Sequence, residues 1–150
     1  MASEDRQFSI SIDINAPADR VYEVMSEIDR WQEWTPSVTS IKRLDTGPFV
    51  VGSRAVIRQP KFPPALWTVI AIDGRRSFTW SNRAPGIKVI AYHSVDAKGD
   101  RSKATLSLKY EGLLGRLLAR MTRGITNRYL AMEAKGLKAR SENPFFRVSS

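Results

Sequence analysis

The chain has no cysteine. That removes disulfides, thiolate metal sites and cysteine nucleophiles, and it fits a reducing compartment. It has a single histidine, His93, so no zinc ligand set can be assembled from cysteine and histidine. It lacks any uninterrupted apolar run approaching the ~18–20 residues that a membrane span needs. Arginines interrupt even the leucine-rich stretch that begins at Leu113. Met1 to Gln7 is polar and charged, without the apolar core of a secretory signal, so the expected location is cytoplasmic. No glycine-rich phosphate loop and no nucleophile elbow occur, and the glycines stand singly at turns. No internal repeat is present. No cofactor and no metal are expected.

Acidic residues are the scarcer charge: 15 against 24 lysines and arginines, a formal net charge of +9. A basic excess points either to an anionic partner or to a solvated basic surface. No block of five or six like charges occurs, which favours the solvated surface.

What the chain does have is period. At 150 residues it reads as one domain. Phe8, Ile10, Ile12 and Ile14 alternate with polar residues, predicting a half-buried first strand. Asn15-Ala16-Pro17 breaks it, and proline with Asp19 suits the first turn of a helix carrying Val21, Val24, Met25 and Ile28. Ser26 and Asp29 resemble a capping box, predicting a second short helix that carries Trp31 and Trp34 and ends at Thr35-Pro36. From Ser37 the period is two. Strands are predicted near 38–44, 54–59, 66–73, 78–83, 87–96 and 103–110, separated by turns such as Thr46-Gly47-Pro48 and Asp73-Gly74 and by the proline-rich 59–64 link. Short turns between strands make an antiparallel meander.

One long helix is predicted over Gly112 to Arg140, its stripe formed by Leu114, Leu117, Leu118, Met121, Ile125, Tyr129 and Met132. Such a stripe must be received by something apolar and concave, and a twisted one-sided sheet supplies it. The expected fold is α+β: strand, two short helices, six strands, long helix. Residues 1–140 form the domain and 141–150 a flexible tail containing Phe145 and Phe146.

At this point the sequence resembles the polyketide cyclase/dehydrase and lipid-transport superfamily, the START-like or helix-grip proteins. The resemblance covers about Phe8 to Arg140. It rests on the run from Ile14 to Tyr22 and on Trp31 with Trp34-Thr35-Pro36. It continues through Val51-Gly52-Ser53-Arg54, Trp67, Phe78-Thr79-Trp80, Pro85-Gly86 and His93 to Tyr110-Glu111-Gly112-Leu113-Leu114. It implies a helix-grip fold, a curved antiparallel sheet of about seven strands around the C-terminal helix, with a cavity between them. It does not fix an activity, because the superfamily includes carriers, receptors and cyclases.

In a meander alternate loops share an end. The loop after Trp34, the 59–65 and 82–86 loops and the turn at Gly112 are expected to surround the cavity mouth. The candidate ligand-binding residues are Trp34, Trp67, Trp80, His93, Tyr110, Met121, Ile125 and Tyr129, with Phe8, Ile10 and the Leu106–Leu108 face as floor. Aromatics at strand spacing also serve any core, although tryptophan and tyrosine carry a polar group that wants a partner. His93 shares a strand face with Ile87, Val89, Ala91 and Val95 and is expected to point inward, where imidazole can be a core hydrogen-bonder or an acid–base group. His93, Arg58 and Tyr110 are the catalytic candidates. Arg58 and Arg83 could hold a carboxylate or enolate, or simply sit on a solvated edge. Asp13, Asp73 and Glu111 lie at strand ends or outward positions, so no inward carboxylate pair is expected.

Three functions follow. The first is binding of a small hydrophobic molecule or lipid, as carrier or sensor. The second is a polyketide cyclase/dehydratase-type enzyme using the same cavity. The third is transient contact with an anionic membrane through the basic faces of the long helix. Nucleic acid fits less well, because aromatics do not interleave with exposed arginines. The oligomeric state is left open.

Overall fold

The structure is a computed structural model that describes residues 6–148. The expectations on Met1–Asp5 and on the last two residues of the tail lie outside it. The elements run β1 (Gln7–Ile14), α1 (Ala18–Ser26), a 3-10 helix (Ile28–Glu33), β2 (Ser40–Arg43), β3 (Arg54–Arg58), β4 (Ala65–Asp73), β5 (Ser77–Ala84), β6 (Ile87–Lys98), β7 (Arg101–Glu111), α2 (Gly115–Met121) and α3 (Arg123–Glu142).

The seven strands make one antiparallel sheet, ordered β1-β7-β6-β5-β4-β3-β2. β1 and β2 are neighbours in sequence but occupy opposite edges. The α1 and 3-10 segment therefore crosses the concave face between them. β1 pairs with β7 (Phe8 opposite Leu108, Ile10 opposite Leu106), and β6 pairs with β7 so that His93 lies opposite Leu106. Period two then puts Phe8, Trp80, Ala91, His93, Leu106 and Tyr110 on the concave side. β4 shifts register between Val69 and Ala71, a bulge that leaves Ile70 and Ala71 both exposed.

The second short helix is a 3-10 helix. The expected capping box is absent: Ser26 donates to the Glu23 carbonyl at 3.4 Å and the helix start has no side-chain cap. The tighter helix brings the Trp31 and Trp34 rings to 5.7 Å, both buried.

The long helix departs most from expectation. It is broken at Thr122, which separates α2 from α3. Thr122 donates to the Leu118 carbonyl at 2.7 Å, a back-bond of the kind that bends helices. The predicted stripe is also rotated. The buried face runs Gly115, Ala119, Thr126, Leu130, Ala134, Leu137 and Ser141. Leu114, Leu117 and Met121 are instead exposed. The sheet already fills the concavity with tryptophans and phenylalanine, so the helix presents its small residues there. Gly136 shows why. A Cβ at this position would run into the Trp34 carbonyl oxygen and meet its carbonyl carbon at 2.9 Å.

The helix also continues to Glu142, two residues past the expected end. Glu142 accepts from the Asn15 amide at 2.7 Å and from Lys138 at 2.6 Å, tying the helix end to β1. Beyond it the chain folds back: Phe146 packs against the core and the Val148 amide donates to the Glu33 carbonyl at 2.8 Å. Phe145 is exposed.

Candidate functional site: a pocket between the sheet and α3

A pocket of about 470 Å³ lies between the concave sheet face and the first half of α3. Its strand walls are mostly apolar, with Ile57, Trp67, Trp80, Val89, Leu106 and Leu108 among them. Trp31 closes it from the 3-10 helix, and Leu118, Thr126, Tyr129, Leu130 and Glu133 close it from the helices. The rim is the 59–65 link, with Phe62, Pro63 and Pro64, and the end of β5 beside the β5–β6 turn, with Arg83 and Ala84.

The rim is held to the helices. Tyr129 donates its hydroxyl proton to the Pro60 carbonyl, and its ring meets Phe62 edge-on at 5.9 Å. Burial raises the Tyr129 hydroxyl above the ordinary tyrosine range, with Arg128 pulling the other way. On the opposite side the Leu114 amide donates to the Gly86 carbonyl at 2.9 Å. Gly112 makes this approach at φ +97, and a side chain there would collide with the Gly86 backbone.

Of the residues named from sequence, Trp67, Trp80, His93, Tyr110 and Tyr129 come together on this pocket. Trp34, Met121 and Ile125 do not. Trp34 is fully buried against Gly136 at the far end of α3. Met121 is 74 % exposed, on the outer side of α2. Ile125 stands half-buried one position before the pocket-facing Thr126, a consequence of the rotated stripe. Arg58 is exposed on the outer side of β3, away from the lining, whereas Arg83 is on the rim. Leu106 and Leu108 line the pocket; Phe8 stands behind it, edge-on to Tyr110 at 5.7 Å.

Two polar arrangements face the apolar walls. Tyr110, Thr126, Thr122 and the Leu118 carbonyl form a hydroxyl chain with steps of 3.1, 3.3 and 2.7 Å. The Tyr110 hydroxyl therefore finds its partner inside the protein. So does the Trp31 indole, which donates to the Met25 carbonyl at 3.0 Å.

The second is His93 with Glu133. His93 Nε2 stands 3.2 Å from Glu133 Oε1. His93 is stacked on Phe78, ring centroids 4.4 Å apart and planes within 6°, with Trp31 and Trp80 at 5.4 and 6.0 Å. Its Nδ1 is buried and has no hydrogen-bond partner. With Glu133 ionised, the proton sits on Nε2 and Nδ1 is left as an acceptor. Sequence reasoning missed Glu133. It lies seven residues after Thr126 and three after Leu130, on the buried face; an acid among arginines and apolar residues was the available signal, hidden while the stripe was placed one position off. Among the described residues no group of three or more histidine and acidic side chains is arranged to hold a metal.

A curved sheet gripping a C-terminal helix over an apolar pocket defines a helix-grip protein of START-like architecture. The chain belongs to the polyketide cyclase/dehydrase and lipid transport family, whose model matches residues 5–142. Solved structures share the fold at low identity. A hypothetical protein of Helicobacter pylori superposes with a TM-score of 0.76 at 15% identity, covering 91% of this chain and 88% of its own. The Zhui aromatase/cyclase of Streptomyces sp. R1128 gives 0.74 at 15%, covering 91% and 93%. A START superfamily protein of Mycobacterium smegmatis gives 0.72 at 15%, covering 90% and 98%. Among curated proteins none matches the chain by sequence.

Proposed function

We propose that the chain binds a small hydrophobic molecule or lipid in the pocket between the sheet and α3. The pocket carries this reading. Its volume falls inside the roughly 300–1,000 Å³ of ordinary ligand sites, and its walls are apolar and aromatic with few polar groups. Membership of a lipid-transport family supports the same reading. Mass spectrometry of organic extracts of the purified protein, followed by titration with a fluorescent lipid, tests it. A co-purifying apolar molecule or saturable uptake is expected; an empty protein that takes up no probe sinks the proposal.

The His93–Glu133 pair favours a second reading, a cyclase/dehydratase-type enzyme. Glu133, held by His93 on the lining of an apolar pocket, is suited to taking a proton from next to a carbonyl, with the pocket positioning a flexible substrate. One structural neighbour is an aromatase/cyclase. Under this reading His93→Asn and Glu133→Gln each abolish turnover of a candidate polyketide while leaving uptake of a neutral probe intact. Equal turnover by wild type and both variants rejects it.

A further inference from the structure

α2 is built inside out. Its inward side is Gly115 and Ala119, both buried, with Leu118 toward the pocket. Its large apolar side chains face away from the protein: Leu117 and Met121, at i and i+4, are 57 and 74 % exposed, Leu113 just before the helix is 95 % exposed, and Leu114 is only half-covered, by Gly86. A helix of a water-soluble domain turns such a stripe toward a core. Nothing else in the described chain covers it.

The charge around the stripe has one sign. From Gly112 to Met132 the sequence carries Arg116, Arg120, Arg123 and Arg128 and no acidic residue; Glu111 and Glu133 bracket it. Arg120, Arg123 and Arg128 are exposed. The stripe also adjoins the pocket rim, since Leu114 packs on Gly86 in the β5–β6 turn and Leu118 lines the pocket.

We propose that α2 docks on an anionic lipid membrane, with Leu113, Leu117 and Met121 in the acyl boundary and the arginines on the headgroups. Apolar side chains ringed by long basic ones suit an interfacial helix, because arginine can bury its stem and keep its charge in the headgroup layer. A second copy of the chain fits this patch poorly, since a two-fold contact would set arginines against arginines. Nucleic acid fits poorly because the stripe has no aromatic ring on which a base could stack. Docking there holds the pocket rim at the membrane surface. Only that last consequence rests on the pocket being a ligand site; the docking does not.

The test is co-sedimentation of the full chain with phosphatidylcholine vesicles, with and without phosphatidylglycerol, at low and moderate salt. Phosphatidylglycerol tightens binding roughly tenfold or more, and added salt weakens it. Leu113→Glu with Leu117→Glu abolishes pelleting, and so does Arg120→Gln with Arg123→Gln. Both double variants keep their circular dichroism and their uptake of a soluble fluorescent fatty acid. Wild type that does not pellet, variants that pellet as well as wild type, or a solution dimer that Leu117→Glu dissociates would each overturn the proposal. Vesicle binding without probe uptake leaves it standing and removes the ligand reading instead.

Discussion

The two halves of α3 treat the same sheet differently. Over Ala134 to Ser141 the helix lies hard against the protein: Gly136 on the Trp34 backbone, Leu137 fully buried, Arg140 in a near-buried ion pair. Arg140 donates to Glu33 at 2.6 Å and to the Phe146 carbonyl at 2.8 Å. Over Thr126 to Glu133 the helix stands off, and the pocket fills the gap. An apolar void has no partner atoms for its lining and costs stability. The tight end offsets that cost, so one helix both anchors the fold and roofs a cavity.

The comparison breaks most sharply at Gly136. Gly136→Val drives a branched side chain into the Trp34 backbone and should destabilise by about 3 kcal/mol or more, measured by urea unfolding. Little loss there would mean that the tight end is not tight. Next comes Arg140→Met, which takes the hydrogen bonds from Glu33 and the Phe146 carbonyl and leaves Glu33 only the looser Arg30 and Arg147 contacts; it should cost about 2–3 kcal/mol.

The tight end also sets an acid dependence. Burial alone would raise the Glu33 carboxyl, but the Arg140 hydrogen bond and the charges of Arg147, Arg140 and Arg30 outweigh it and hold it below the ordinary glutamate range. The hydrogen bonds from Lys138 and from the Asn15 amide lower Glu142 in the same way. Folded values below unfolded ones give stability that is fully present above the unfolded value, about 4.3, and lost as pH falls through the depressed range. The urea midpoint should therefore drop on acidification, and Glu33→Gln should flatten that drop.

At the open end the effects should fall on binding. Ala91→Phe fills the pocket between Trp80 and Leu108, so probe uptake should weaken roughly tenfold, while stability moves by about 1 kcal/mol. The smallest effect belongs to Gly124→Ala, which meets open space in the first turn of α3 and should stabilise by about 0.5–1 kcal/mol. Glycines twelve residues apart thus respond with opposite sign.

The strands were legible because period two leaves two faces and the aromatic one must go inside. Trp80, His93 and Tyr110 lie on that inner face, and Trp67, which the resemblance also singled out, stands on it beside them. The helix face was not legible. Counting large apolar residues selected Leu114, Leu117, Met121 and Ile125. The buried positions are the small ones between them, because the sheet had already supplied the bulk. Trp34 read as a ligand contact for the same reason, until the place of Gly136 showed it to be a packing surface. Glu133 followed from neither pattern; it becomes visible only when the helix is turned by one residue.

The tryptophans have a practical consequence. Trp31 lies 5.7 Å from Trp34 and 5.3 Å from Trp80, and Trp80 lies 5.6 Å from Trp67. These are all four tryptophans of the chain, and three of them line the pocket while one is sealed behind it. At such separations indoles exchange excitation, so the chromophores emit as a single array. A molecule taken up as proposed above would meet Trp31, Trp67 or Trp80, so tryptophan emission offers a direct optical readout of that proposal.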